Sequence, residues 1–309
     1  MSENSTSRKD FLAGLLTAGL ALAGCTTKSN PFEGLSGEGG PTGKKVKLLS
    51  VDGEIVEMDS SCLKPLPEIP PVDNDQERVG IPGKKFIMVI DLARCGAVKN
   101  CQKVCNSTHQ LHGGQNWIHV YPMKEADNAS PFWQPTNCMH CDAPPCVKVC
   151  PVDATFKRED GIVLIDNTRC IGCRFCMAAC PYSARIFNWN KPEISEAEAC
   201  KPYSCESSTP QKVGTVGKCD FCPDMSRKSK LPHCVTACPN GVYFFGDLNE
   251  DSVTNGAETF RFSELIKDKA GYRLMEELGT HPRVYYLPPV TRNFPFEKGL
   301  PAGEKVELG

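Results

Sequence analysis

Short apolar runs broken by Gly, Pro and Asp-Gly turns dominate this chain, and most are of strand length. Residues 45–50 and 54–59 flank Val51-Asp52-Gly53 and predict a β-hairpin. Residues 155–158 and 162–166 repeat that pattern around Glu159-Asp160-Gly161. Further strands are predicted over 85–91, 117–122 and 242–245, and 283–287 reads as extended. Helical signals are fewer. Residues 102–105 and 177–180 predict short helical pieces, each ending on a cysteine. Residues 262–278 predict a longer helix, with Ser263 as N-cap and Gly279 just past its end.

The apolar stretch 11–24 stands apart, because nothing polar interrupts it beyond a single Thr. It has the length of a signal-peptide core and falls short of the ~20 residues that a spanning helix needs. Arg8-Lys9, followed by Phe11-Leu12, resembles a twin-arginine export signal with Lys in the second Arg position. Leu22-Ala23-Gly24-Cys25 resembles a lipobox, in which Cys25 would be acylated and become the first mature residue. These residues predict an exported, lipid-anchored protein on the periplasmic face of the inner membrane. The predicted organisation is an export signal over 1–25, a Gly/Ser/Pro-rich tether with a β-hairpin over 26–80, a cysteine-rich domain over 81–250, and a docking tail over 251–309.

Composition changes the picture at one point. The net charge of −2 gives no basic field for nucleic acid, and 40% hydrophobic residues rule out a bundle of membrane spans. The 309 residues, however, include 19 cysteines. A disulfide framework belongs to domains too small to build a core, which this chain is not. Structural zinc uses cysteine pairs separated by a longer span, often mixed with His.

Here the cysteines form four compact groups. The first is Cys95, Cys101 and Cys105. The second is Cys138, Cys141, Cys146 and Cys150-Pro151. The third is Cys170, Cys173, Cys176 and Cys180-Pro181, and the fourth is Cys219, Cys222, Cys234 and Cys238-Pro239. The third has the bacterial ferredoxin spacing, in which three cysteines bind one cubane and the fourth binds its neighbour. Short Cys-x2-Cys turns wrap one cube; the last Cys sits a helical turn further on and points away, and Pro stops the helix. Three Cys-x3-Cys-Pro endings in one chain make an internal repeat. The predicted fold is α+β: two ferredoxin-like dicluster modules with long loops and inserted segments, one module placed within the other.

On these motifs, from about residue 84 to 249, the chain resembles the four-cluster ferredoxin-type electron-transfer subunits of respiratory membrane complexes. These include the NrfC, polysulfide reductase and DsrO types and the ferredoxin part of alternative complex III. Gly271-Tyr272-Arg273-Leu274 and Tyr285-Tyr286-Leu287-Pro288-Pro289 resemble the tail that such subunits often carry. The resemblance implies that groups two and three pair, as do groups one and four. It implies one 4Fe–4S cluster on Cys138, Cys141, Cys146 and Cys180, and a second on Cys170, Cys173, Cys176 and Cys150. A third would use Cys219, Cys222, Cys234 and Cys105. The last site keeps Cys95, Cys101 and Cys238.

That last site is one thiolate short. Aligned on group three, the missing Cys falls at Val98, and loss of one cube corner predicts a 3Fe–4S cluster. The alternatives are a four-iron cluster with His109 or Asp91 as ligand, an empty site, or different pairing. His109 and His112 otherwise read as loop histidines. His140 and His233 read as solvated residues, with donation to a cluster as the alternative. Arg94 and Arg169, each just before a Cys, offset cluster charge or lie on the surface; Trp117, Trp133 and Trp189 read as packing. Cys62, Cys200 and Cys205 are plain thiols or disulfide partners.

The resemblance implies a non-catalytic wire between an NrfD-like integral membrane quinone subunit and a further redox subunit, of molybdopterin or cytochrome type, with no nucleic acid involved. The competing reading is an iron–sulfur enzyme with an open iron at the three-Cys site. No radical-enzyme Cys spacing, dinucleotide fingerprint or serine elbow accompanies it. A zinc-stapled scaffold, the third reading, would be colourless.

Overall fold

The computed structural model describes residues 45–49, 55–59, 74–111, 113–124, 130–191, 194 and 203–290. Two units divide the chain, residues 1–66 and 67–309. In the first, β1 (Lys45–Leu49) pairs antiparallel with β2 (Ile55–Asp59), as the Asp-Gly turn predicts. The export signal, Cys25, Cys62, His112 and Cys200 lie outside the described residues.

The second unit opens with the helix α1 (Asn74–Val79) and is organised on β3 (Phe86–Asp91). Every residue of β3 is buried, so its alternation divides two apolar layers rather than core from solvent. Phe86, Met88 and Ile90 face the layer that contains the cysteines. Ile87 and Val89 face a second layer with Phe244, Phe262 and Leu265. Around β3 runs a five-stranded sheet in the order β12-β11-β10-β3-β13. β10 (Tyr243–Asp247), β11 (Ser252–Thr254) and β12 (Thr259–Arg261) are antiparallel neighbours, while β13 (Val284–Leu287) lies parallel to β3 with Val284 opposite Met88. The extended segment predicted over 283–287 is thus a strand of the central sheet.

Three small hairpins complete the strands. β4 (His119–Met123) pairs with β5 (Phe132–Thr136), and β6 (Thr155–Lys157) with β7 (Val163–Ile165), the latter around the predicted Asp-Gly turn. β8 (Ile186–Phe187) pairs with β9 (Val216–Gly217).

Short helices follow the cysteine groups: α2 (Asn100–Thr108), α3 (Pro145–Lys148), α4 (Phe175–Ala178), α5 (Pro223–Arg227) and α6 (His233–Thr236). In groups two, three and four they carry the third cysteine, not the fourth as predicted. Cys150, Cys180 and Cys238 lie two residues past their helices, each closing a last tight turn onto the carbonyl three residues back. The following Pro has no N–H and cannot continue the ladder. Asn106 stands at that place in group one, and α2 accordingly runs on to Thr108.

The predicted helix over 262–278 breaks. α7 (Phe262–Asp268) ends where Gly271 N–H returns to the Ile266 carbonyl, and a separate single turn covers Glu276–Leu278. Tyr272 is drawn instead into a backbone bridge with Tyr286, so pairing beside β13 overrides helical propensity. Ser263 does not cap α7; its N–H and hydroxyl both donate to Asp251. Gly279 does end the final turn, with a left-handed φ of 64°.

Candidate metal centres

The four cysteine loops share one backbone device. The residue before the second Cys position is left-handed in every group: Ala97, His140, Gly172 and Phe221. Three residues beyond the last Cys of groups two, three and four, Asp153, Ser183 and Gly241 are left-handed too. Such a conformation costs an L-residue ~1–2 kcal/mol, so its recurrence at matched positions marks a required loop shape. Lys99 and Arg174, which open α2 and α4, are also both left-handed. Group one therefore follows group three closely, and Val98 stands where Cys173 stands.

The folded chain gathers the thiols. Cys141 lies within electrostatic reach of Cys138, Cys146 and Cys180, and these four line one cavity with Tyr182 and Arg185. Cys222 is beside Cys234, Cys219 and Cys105, and Cys95 is beside Cys101 and Cys238. Cys176 meets Cys170 and also Cys146, so the cages of groups two and three adjoin. Cys150 and Cys173 are half-buried, and the Cys150 sulfur accepts the Ala154 N–H at 3.2 Å. The helices pack in matching pairs, α2 on α6 and α3 on α4. Between the pairs, Asn137 Nδ2 donates to the Cys138 carbonyl and lies 3.7 Å from Cys219 Sγ.

Burial pushes the Cys95 thiol up to about 11 and the Cys141 and Cys219 thiols up to about 12. Without metal these are neutral sulfhydryls; iron binding displaces their protons and stabilises the thiolates. Cys150 differs. Burial opposes its ionisation, but the N–H groups of Thr155, Val152 and Ala154 bring it below the ordinary thiol value.

Do the cages suit iron–sulfur clusters? Two cages gather four thiols and one gathers three, Cys176 meets Cys170, and buried donors without a well-formed hydrogen bond among the described residues stand close by. His140 Nδ1 accepts the Val163 N–H at 3.0 Å, which leaves the proton on Nε2, buried and without a well-aligned hydrogen bond, although the ring lies within reach of the Cys219 backbone. Arg185 Nη2 is likewise orphaned beside the thiols. Orphaned donors call for acceptors, and cluster sulfides supply them. The residues present fit the group.

Several expectations change. His140 is fully buried and stacked on Phe221 at 3.7 Å, not solvated, and burial lowers its pKa well below the ordinary value. His109 is buried against Trp117, with Nε2 3.6 Å from Cys222 Sγ and Nδ1 donating to the Ser207 carbonyl at 3.2 Å. It belongs to the third cage and is no substitute ligand near Val98. Asp91 caps its own turn through Ala93 N–H and accepts from Arg94 Nε, so its carboxylate is engaged as well. Arg94 also pairs with Glu258, and exposed Arg169 faces Asp166. Trp189 is 63% exposed, though it packs against Phe187 at 4.5 Å between ring centroids and lies beneath the Arg174 guanidinium. Cys205 is a free, buried thiol that donates to Glu77, whose carboxylate also accepts the Cys205 N–H at 3.0 Å. Arg185 and Tyr243 sit among the cages, and no motif in the sequence singles them out.

Residues 130–211, which hold groups two and three, match the family model of a 4Fe–4S dicluster domain. A selenate reductase subunit from Mesobacillus selenatarsenatis is 36% identical over 92% of this chain and 97% of its own. The iron–sulfur cluster-binding subunit of menaquinone reductase from Nitratidesulfovibrio vulgaris is 38% identical, covering 66% of this chain and 88% of that one. An NrfC homolog of Haemophilus influenzae is 32% identical over 66% and 80% respectively.

Proposed function

We propose that this chain, which belongs to the family of iron–sulfur electron-transfer subunits of multi-subunit reductases, is a two-ended wire between a quinone-active membrane subunit and a second redox subunit. The observation that carries this reading is the graded burial of the cages. Every thiol of the third cage, Cys105, Cys219, Cys222 and Cys234, is buried, while the group-two cage has one half-buried thiol, Cys180, the three-thiol cage has two, Cys95 and Cys238, and Cys150, Cys170 and Cys173 are all half-buried. A wire needs a protected middle and reachable ends.

In this reading Cys138, Cys141, Cys146 and Cys180 hold one four-iron cluster, and Cys150, Cys170, Cys173 and Cys176 a second. Cys105, Cys219, Cys222 and Cys234 hold a third. Cys95, Cys101 and Cys238 hold a three-iron cluster, with Val98 in place of the fourth ligand. Such clusters each take up and release single electrons when bound. The chain's own residues hold them, keep water from the inner pair and orient donors toward sulfur. Saturated thiolate ligation at the four-iron sites leaves no iron for a substrate. The Cys95 end faces an NrfD-like membrane subunit and its quinone; the Cys170 end faces a molybdopterin or cytochrome subunit. Acylation at Cys25, after export, would tether the chain at the periplasmic face.

The test is purification of the tagged chain from its own membranes, identification of what accompanies it, and labelling of Cys25. A multi-span subunit together with a reductase-type partner, and quinol-dependent cluster reduction in that complex, are expected. A soluble, unacylated chain that is reduced no faster with quinol present would overturn the reading.

A further inference from the structure

Each Cys-Pro motif is followed, five residues after its Cys, by an inward-facing residue: Thr155, Arg185 and Tyr243. Two of these occupy matching places in the two halves. Arg185 stands among Cys146, Cys176, Cys138 and Cys180, on both sides of the contact between the cages of groups two and three. Tyr243 stands among Cys101, Cys234 and Cys95, between the cages of groups one and four. The matching is close, since Cys146, Cys176 and Cys234 are the third cysteines of their groups and Cys101 takes the same place in group one, where the second is Val98.

What differs is charge. Arg185 is 5% exposed; its Nη1 donates to the neutral Thr155 Oγ1 at 3.3 Å, and its guanidinium also lies within hydrogen-bond reach of the Cys146 and Cys176 thiols. Two other buried arginines, Arg158 and Arg227, pair with Asp160 and Glu206. Arg185 has no carboxylate at ion-pair distance among the described residues, and its Nη2 has no acceptor there. A buried guanidinium without a counter-charge is strongly unfavourable. The nearest groups able to carry negative charge are the cluster thiols. Lys218, the other buried cation nearby, already donates to the carbonyls of Val163 and Cys219. Tyr243, fully buried, offers only a neutral hydroxyl.

We infer that Arg185 is the potential-setting residue of one half of the wire, and that Tyr243 is its neutral counterpart in the other. This rests on the ligand sets proposed above. A cluster held by four thiolates is anionic and gains a further negative charge on reduction, so a fixed cation between two clusters favours their reduced forms. The clusters of groups two and three therefore have higher potentials than their ligation alone would give. A phenol at the same place shifts its pair far less, which creates a step in potential between the halves.

The experiment is an EPR-monitored redox titration of the full chain, purified anaerobically with clusters in place. Arg185→Met is expected to lower both midpoint potentials of groups two and three by at least tenfold in the reduction equilibrium, about 59 mV for a one-electron couple. The other two clusters stay in place. Arg185→Lys, which keeps the charge, retains most of the wild-type value, and Tyr243→Phe produces a smaller shift confined to groups one and four. Unchanged potentials in an iron-replete Arg185→Met protein overturn the inference, as does an equal shift in all four clusters. Should the Met variant load poorly, Arg185→Gln against Arg185→Lys decides: a lower potential in Gln supports it, and equal potentials overturn it. Wild-type protein without these cluster signals would instead break the ligand reading on which the inference stands.

Discussion

The half built from groups two and three and the half built from groups one and four use the same loop, with the same left-handed residue before the second Cys position, and yet differ at three matched places. Between groups three and one, Cys173 is Val98 and Pro181 is Asn106; between groups three and four, Arg185 is Tyr243. The first change removes a thiol, the second lengthens a helix from four residues to nine, and the third removes a buried charge. None disturbs the gathering of the remaining thiols. The loop shape and the helix pairing are therefore set by the backbone and the apolar layer around β3, while thiol number and charge vary upon them. One scaffold can hold clusters of unlike potential.

The largest effect should come from removing a thiol where the cages meet. Cys146→Ser is expected to cost about four irons per chain and to interrupt electron transfer, while the EPR signals of groups one and four persist. Loss of all four signals would show that the halves do not assemble independently. Next comes Val98→Cys, which restores the matched ligand. The isotropic signal of the oxidised three-iron cluster should vanish, one iron should be gained, and the potential of that site should fall. An unchanged spectrum would break the correspondence between groups one and three.

A smaller effect separates Gly172 from Ala97, its counterpart. Gly172 has φ of +72°, and a Cβ there would lie 2.2 Å from the Gly214 carbonyl oxygen. Gly172→Ala is expected to destabilise the protein by more than ~1 kcal/mol, read as a lower melting temperature and faster iron loss. Ala97→Gly, in an equally left-handed but roomier place, should change stability by no more than ~1 kcal/mol. Equal destabilisation in both would mean that the Gly214 carbonyl does not set the difference between the two loops.

Much of this was legible in the sequence, because thiolate spacing is itself the geometry of a cluster loop. Cys138, Cys141 and Cys146 converge with Cys180 because a short loop and a stopped helix leave few other arrangements. Hairpins at Asp-Gly turns were equally plain. Single residues whose role depends on what surrounds them were hidden. Arg185 gives no periodic signal, and only its offset from Cys-Pro, shared with Tyr243, points to it. His140 and His109 look like loop residues until the β7 backbone and Trp117 cover them. β5 contains Pro135, a residue that argues against strands, and survives as one member of a two-stranded hairpin. The break in the 262–278 helix follows from pairing between Tyr272 and Tyr286, a contact that no local pattern announces.

The central claim is that fifteen of the 19 cysteines hold iron and sulfide. Elemental and acid-labile sulfide analysis of the anaerobically purified full chain, combined with EPR of its oxidised and reduced forms, tests this directly. The account predicts about fifteen irons with a near-matching number of sulfides, one three-iron signal on oxidation and several interacting four-iron signals on reduction. A colourless protein that carries zinc, or one without labile sulfide, would contradict it.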